Sequence, residues 1–231
     1  MSHGARLVLH QARYDLLAFL RNRQARFFTL ILPLIFMVIF VSVFGNDTIK
    51  ETGVKASTYY VPGISALGVI AASFVNLVIS ITAMTISLVV MAVLLVLGRF
   101  AYGVRLPTST IPGVLLTAVV GSATFCVLGY AISSAIGSED AAQPMVQAIM
   151  LPLYFISGVF IPNVNLPGWL QDTAKVFPVQ HLADGLHNAF DPATRGVGIV
   201  WGDLGVLALW AAAGLLIALR RFTWTPAAAR A

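Results

Sequence analysis

Val61 to Gly98 is a run of 38 residues without one charged side chain, and this run constrains the fold more than any other feature. As a single helix it would reach about 57 Å at 1.5 Å per residue, nearly twice the roughly 30 Å of a bilayer's hydrocarbon core. Crossing twice takes about 20 residues each way and leaves almost nothing for a turn, which usually needs about 2–5 residues. The turn is expected at Thr82, Ala83, Met84 and Thr85, although none of them is a glycine, a proline or a charged residue. Free backbone groups at such a turn are costly in lipid unless protein buries them.

The rest of the chain agrees with a membrane setting. The 231 residues are 58% hydrophobic and 10% charged, whereas soluble domains carry about 25% charged residues. The uncharged runs do not alternate polar with apolar, as barrel strands would. A net charge of +5 fits basic flanks at the ends of spans better than nucleic-acid binding. The single cysteine, Cys126, lies inside an apolar run. One thiol makes neither an intrachain disulfide nor a thiolate metal site, so it is read as packed in lipid or core. About 26 mixed residues precede the first apolar run, unlike a cleavable signal.

Residues 4–22 place Val8, Leu9, Ala12, Leu16, Phe19 and Leu20 on one helical face, with Arg6, His10, Gln11, Arg13, Asp15 and Arg21 on the rest and Leu7 and Leu17 as exceptions. This pattern suits an amphipathic helix lying in the membrane interface. Spans are expected at about 27–44, 61–83, 84–102, 113–136, 144–161 and 197–219. A polar loop covers 45–60, and GSEDAAQ (137–143) reads as a polar turn. Residues 162–196 contain two short helical pieces, 167–177 and 179–190, each opened by a proline. Trp169, Phe177 and Phe190 there have interfacial character.

Charge sets the orientation. Arg6, Arg13, Arg21, Arg23 and Arg26 precede the first span with one acid, Asp15, and Arg220, Arg221 and Arg230 follow the last with none. Positive-inside reasoning puts both ends in the cytoplasm. That demands an even number of spans, and only two crossings within Val61–Gly98 give six. Arg99 and Arg105, at the outer end of the third span, oppose this bias. The expected fold is an all-α integral membrane protein of six transmembrane helices, with an N-terminal interfacial helix (1–26), a region between spans five and six on the external side (162–196) and a cytoplasmic tail (220–231).

With RNRQARF (21–27), ILPLIFMVIFVSVFG (31–45) and above all ISGVFIPNVNLPGWLQDTAKVFPVQHLADGLH (156–187), the chain resembles the permease subunit of type-2 ABC exporters, most closely the multidrug or daunorubicin-resistance branch. The resemblance covers nearly the whole chain. It implies short external re-entrant helices between spans five and six, a dimer with a second permease copy or homologue, and a separate ATPase subunit that carries ATP and Mg. No cofactor is expected in this chain, which contains no GxxxxGK[ST]. The family also carries a charged cytoplasmic segment with a coupling helix between spans two and three. Here SITAM passes directly into TISLVVM. Either the chain lacks that segment, or Met84 and Thr85 are not neighbours in the natural protein.

Several residues stand out. Ser73, Asn76 and Ser80 fall at i, i+3 and i+7, with Ser87 in the next span. They are open to interhelical hydrogen bonding or to a substrate-facing role. Glu139 and Asp140 could contact the ATPase, or cap the following helix with Ser138 or Asp140 as N-cap. Arg13, Arg21 and Arg23 are candidates for lipid or ATPase contact, and the helix that carries them could relay ATPase movement or simply anchor. His181, Asp184 and His187 follow at i, i+3 and i+6. Without nearby cysteines, and with only Asp191 as a further acid, they are read as a local Asp184–His181 hydrogen bond rather than a metal site. No GxSxG or other catalytic frame is present, so an enzyme is not expected. Few intramembrane charges argue against ion or proton relays and favour a hydrophobic drug-like or lipid-like cargo. A non-transporting assembly or immunity protein is the alternative.

Overall fold

The computed structural model describes residues 10, 14, 17, 20–21, 27–44, 48–50, 53–75, 81–135 and 139–221. In the N-terminal segment, His10, Tyr14, Leu17, Leu20 and Arg21 are helical and exposed. The His10 and Tyr14 rings meet edge to face at 4.8 Å, the i, i+4 contact of a helix. A π-turn, Phe27–Ile31, leads into α1 (Leu32–Phe44). Pro33 stands at the join, where its missing N–H cannot serve the Thr29 carbonyl four residues back.

Seven further helices follow: α2 (Ala56–Val75), α3 (Ile81–Tyr102), α4 (Ile111–Ala135), α5 (Glu139–Ile156), α6 (Gly168–Ala174), α7 (Pro178–Phe190) and α8 (Trp201–Arg221). Among the described residues there is no strand. An isolated antiparallel bridge joins Thr48 to Lys55 within the polar loop before α2. Thr85–Tyr102, Thr108–Ile132 and Trp201–Arg220 are long and apolar enough to cross a membrane, and Thr29–Ser42 is a shorter apolar helix.

α2 is the central helix. From Ala56 to Ser73 every residue except Thr58 is buried, the expected place for a helix apolar on all sides. α3 lies antiparallel to it: a Cβ on Gly98 would stand 3.0 Å from Val61, one on Gly68 would stand 2.8 Å from Val90, and Ser73 meets Ser87. The long uncharged run is therefore two helices, but they do not part where the sequence suggested. Thr82–Thr85 lie inside α3, whose helix begins at Ile81, and α2 has ended by Val75. Nothing in ITAMT breaks a helix, so the helix continues through it. Residues 76–80, between the two helices, lie outside the described residues.

α4 and α8 run parallel. Gly113 N–H donates to the Val197 carbonyl at 3.0 Å, and Thr124 Oγ1 donates to the Leu207 carbonyl at 3.1 Å. Farther along, Gly214 packs on Val127 and Leu128. α7 lies antiparallel to the N-terminal half of α4. Thr110 Oγ1 donates to the Ala189 carbonyl at 2.7 Å, Gly185 meets Thr117, and Leu182 packs on Gly121.

Other boundaries also move. α5 starts at Glu139, inside the expected polar turn, where acids in a first turn complement the helix dipole. It ends at Ile156, just before Gly158 with φ +79°, a conformation glycine adopts without strain. α8 starts at Trp201, four residues later than the expected 197. α6 and α7 stand close to the two short pieces expected at 167–177 and 179–190. Phe190 is buried rather than interfacial, because α7 packs within the bundle.

Candidate functional site

α7 is amphipathic, and its apolar face, with Val179, Leu182, Ala183 and Leu186, is fully buried. Its polar side chains fasten it to neighbouring elements. His181 Nδ1 lies 2.7 Å from Asp203 Oδ1 in the first turn of α8, and His181 Nε2 lies 2.8 Å from the Lys175 carbonyl. Both side chains of the ion pair are largely buried. A carbonyl and a carboxylate can only accept, so both ring nitrogens donate and His181 is an imidazolium. The hydrogen bond to Asp203 is the main cause that raises its pKa.

Asp184 does not bond His181, as the sequence suggested. It accepts from Gln180 Nε2 at 3.1 Å, one helical turn back, while Asp203 reaches His181 from α8. Burial pushes the Asp184 carboxyl up to about 6. Gln180 Oε1 is buried without a hydrogen-bond partner among the described residues. At the far end of α7, His187 Nε2 donates to the Tyr59 carbonyl at 3.0 Å and its ring stacks on Tyr59 at 4.6 Å. Burial lowers its pKa to about 4, so this imidazole is neutral. Tyr59 OH in turn donates to the Gly158 carbonyl at 2.7 Å. His181 and His187 thus differ in charge state on one helix, one cationic and one neutral, and serve different neighbours. Among the described residues no group of histidine, cysteine and acids could hold a metal ion.

Ser73 and Ser87 are fully buried and bonded to each other at 3.0 Å between α2 and α3, with Ser87 Oγ also 3.4 Å from the Val69 carbonyl. Asn76 and Ser80 lie outside the described residues. So do Arg13 and Arg23, whereas Arg21 is helical and exposed. Glu139 and Asp140 form the start of α5; their side chains and Ser138 lie outside the described residues. Cys126 is buried. Tyr59 and Asp203 were not singled out in the sequence. Asp203 left a signal, being the lone acid in the first turn of an otherwise apolar terminal helix. Tyr59 left none, since its partner His187 is 128 residues away.

An apolar helical bundle in which three helices are long and apolar enough to cross a membrane is consistent with a membrane protein. The chain belongs to the ABC-2 family of transporter membrane proteins: the model of the ABC-2 family transporter protein matches residues 21–220. No curated protein matches the chain. The family's membrane domain is a transport component rather than a catalytic one and generally works with an ABC ATPase subunit.

Proposed function

We propose that this chain is the permease subunit of an exporter that moves hydrophobic drug-like or lipid-like compounds out of the cell, powered by a separate ATPase. The observation that carries the cargo class is the absence of charge along α1, α2 and α4, with Arg99 near the end of α3 as the one charged residue of those four helices. Ion and proton pathways usually place acids inside spans; an apolar bundle suits an amphiphile. In this reading the chain sits in the plasma membrane with six spans, both termini are cytoplasmic, and α6 and α7 are re-entrant from the external side. Two copies or homologues pair. ATP with Mg on the partner ATPase drives alternating access.

Ser73 of α2 and Ser87 of α3, together with Asn76 and Ser80, border the pathway, and the Ser73–Ser87 bond opens as α2 and α3 separate. Arg13, Arg21, Arg23, Glu139 and Asp140 supply contacts to the ATPase or to lipid. A genuine loss of the coupling segment at Met84–Thr85 would favour a second reading, a non-transporting assembly or immunity protein. Co-purification separates the two. The exporter reading expects a soluble ATPase to co-purify, ATP hydrolysis to rise with hydrophobic amphiphiles, and Asn76→Leu to lower transport with assembly unchanged. A chain that retains no ATPase overturns it.

A further inference from the structure

Arg99 and Arg105 run against the charge bias of the chain, and the exporter reading gives them no role. The structure brings them to one place. α3 ends at Tyr102, and Gly103 turns the chain with φ +68°, so that Val104 N–H bonds back to the Gly98 carbonyl at 3.0 Å. Val104 is buried by this turn, and Arg105 is carried back beside the last turn of α3. The result is an open cleft of about 450 Å³ lined by Arg99 and Arg105 together with Val96, Phe100, Ile111 and Phe190.

Two cations and no acid line it. Among the described residues neither guanidinium has a hydrogen-bond or ion-pair partner. Below the cleft, Val89, Val93, Val96 and Phe100 present an exposed apolar stripe along α3. From Val89 to Phe100 the helix rises about 16 Å, close to the roughly 15 Å depth of one leaflet's hydrocarbon.

We infer that this cleft is a binding site for an anionic phospholipid of the leaflet at the C-terminal end of α3. The lipid's phosphodiester lies between Arg99 and Arg105, and an acyl chain lies along the Val89–Phe100 stripe. Arginine suits this task because its planar fork binds two phosphate oxygens at once. Charge complementarity decides the occupant: a protein partner would need an acidic segment inserted at lipid depth, whereas an anionic lipid brings both the charge and the chain.

The test uses the full-length protein in detergent, titrated with phosphatidylglycerol or phosphatidylcholine. Lipid retention is read by native mass spectrometry and thermal stability alongside it. Phosphatidylglycerol is expected to bind and stabilise more than phosphatidylcholine. Arg99→Gln/Arg105→Gln is expected to weaken phosphatidylglycerol by at least about tenfold while leaving phosphatidylcholine unchanged. Both side chains are exposed, so the variant folds, and Arg195→Gln serves as the control that retains wild-type binding. Equal binding of the two lipids overturns the inference, as does an unchanged phosphatidylglycerol affinity in the double variant. Stabilisation reproduced by inorganic phosphate alone means an adventitious ion only and overturns it as well.

Discussion

His181 carries a positive charge because both of its hydrogen-bond partners are acceptors. Its pKa is raised above the ordinary histidine value, chiefly by the bond to Asp203. A raised folded pKa gives stability that is fully present below the unfolded value of about 6.5 and is lost as the pH climbs through the folded value. Asp203→Asn removes the charge-assisted bond and is expected to cost about 1.5–3 kcal/mol. Melting of wild type and variant in detergent should differ more at pH 6 than at pH 9. A difference that grows with pH would mean the pair is not ionised as the geometry requires. The sequence placed His181, Asp184 and His187 on one short helix correctly, and it gave the wrong partner for the first two. Spacing along a helix says which side chains are near one another; it says nothing of the acid arriving from α8.

At the scale of the element, the junction of α2 with the turn after α5 shows how tightly α2 is held. A Cβ on Gly63 would sit 2.6 Å from the Val159 carbonyl oxygen and 3.4 Å from His187 Nε2. The first neighbour is backbone and cannot swing away. Gly63→Ala is therefore expected to destabilise by about 1–3 kcal/mol and to loosen the Tyr59–His187 stack. Gly168→Ala, with nothing near its Cβ position, should change stability by less than about 0.5 kcal/mol. Equal melting temperatures for the two variants would refute this packing. The pieces of α6 and α7 were legible because each starts at or just after a proline. The parting of α2 and α3 was not. Span lengths alone put it at 83/84, whereas the packing of Gly68 on Val90 and of Ser73 on Ser87 sets the register of the pair.

At the scale of the molecule, α4 and α8 lie parallel and α2 and α3 antiparallel, and the even-span arrangement expected from charge is open to a direct topology test. Reporter tags fused at residue 1 and at residue 231 should both report the cytoplasm, and a tag in the 45–55 loop should report the outside. Tags at the two ends on opposite faces would exclude six spans. A peptide containing Met84 and Thr85 together, recovered from the natural protein, would establish that the two are neighbours; α3 runs through them without a break.

By itself the sequence determined that this is a helical membrane protein, and very nearly where most of its helices lie. Hydropathy, helix length, proline starts and flanking arginines are properties of short stretches, and lipid demands that each stretch satisfy its own backbone. Only the tertiary structure decided that α2 is the helix buried on all sides and that α7 is fastened to α2, α4 and α8. It also decided that Asp203 rather than Asp184 pairs with His181, and that Arg99 and Arg105 share one cleft. Tyr59 and His187, or Thr110 and Ala189, are distant in the chain. What brings them together is the close packing of whole helix faces, which no local pattern encodes.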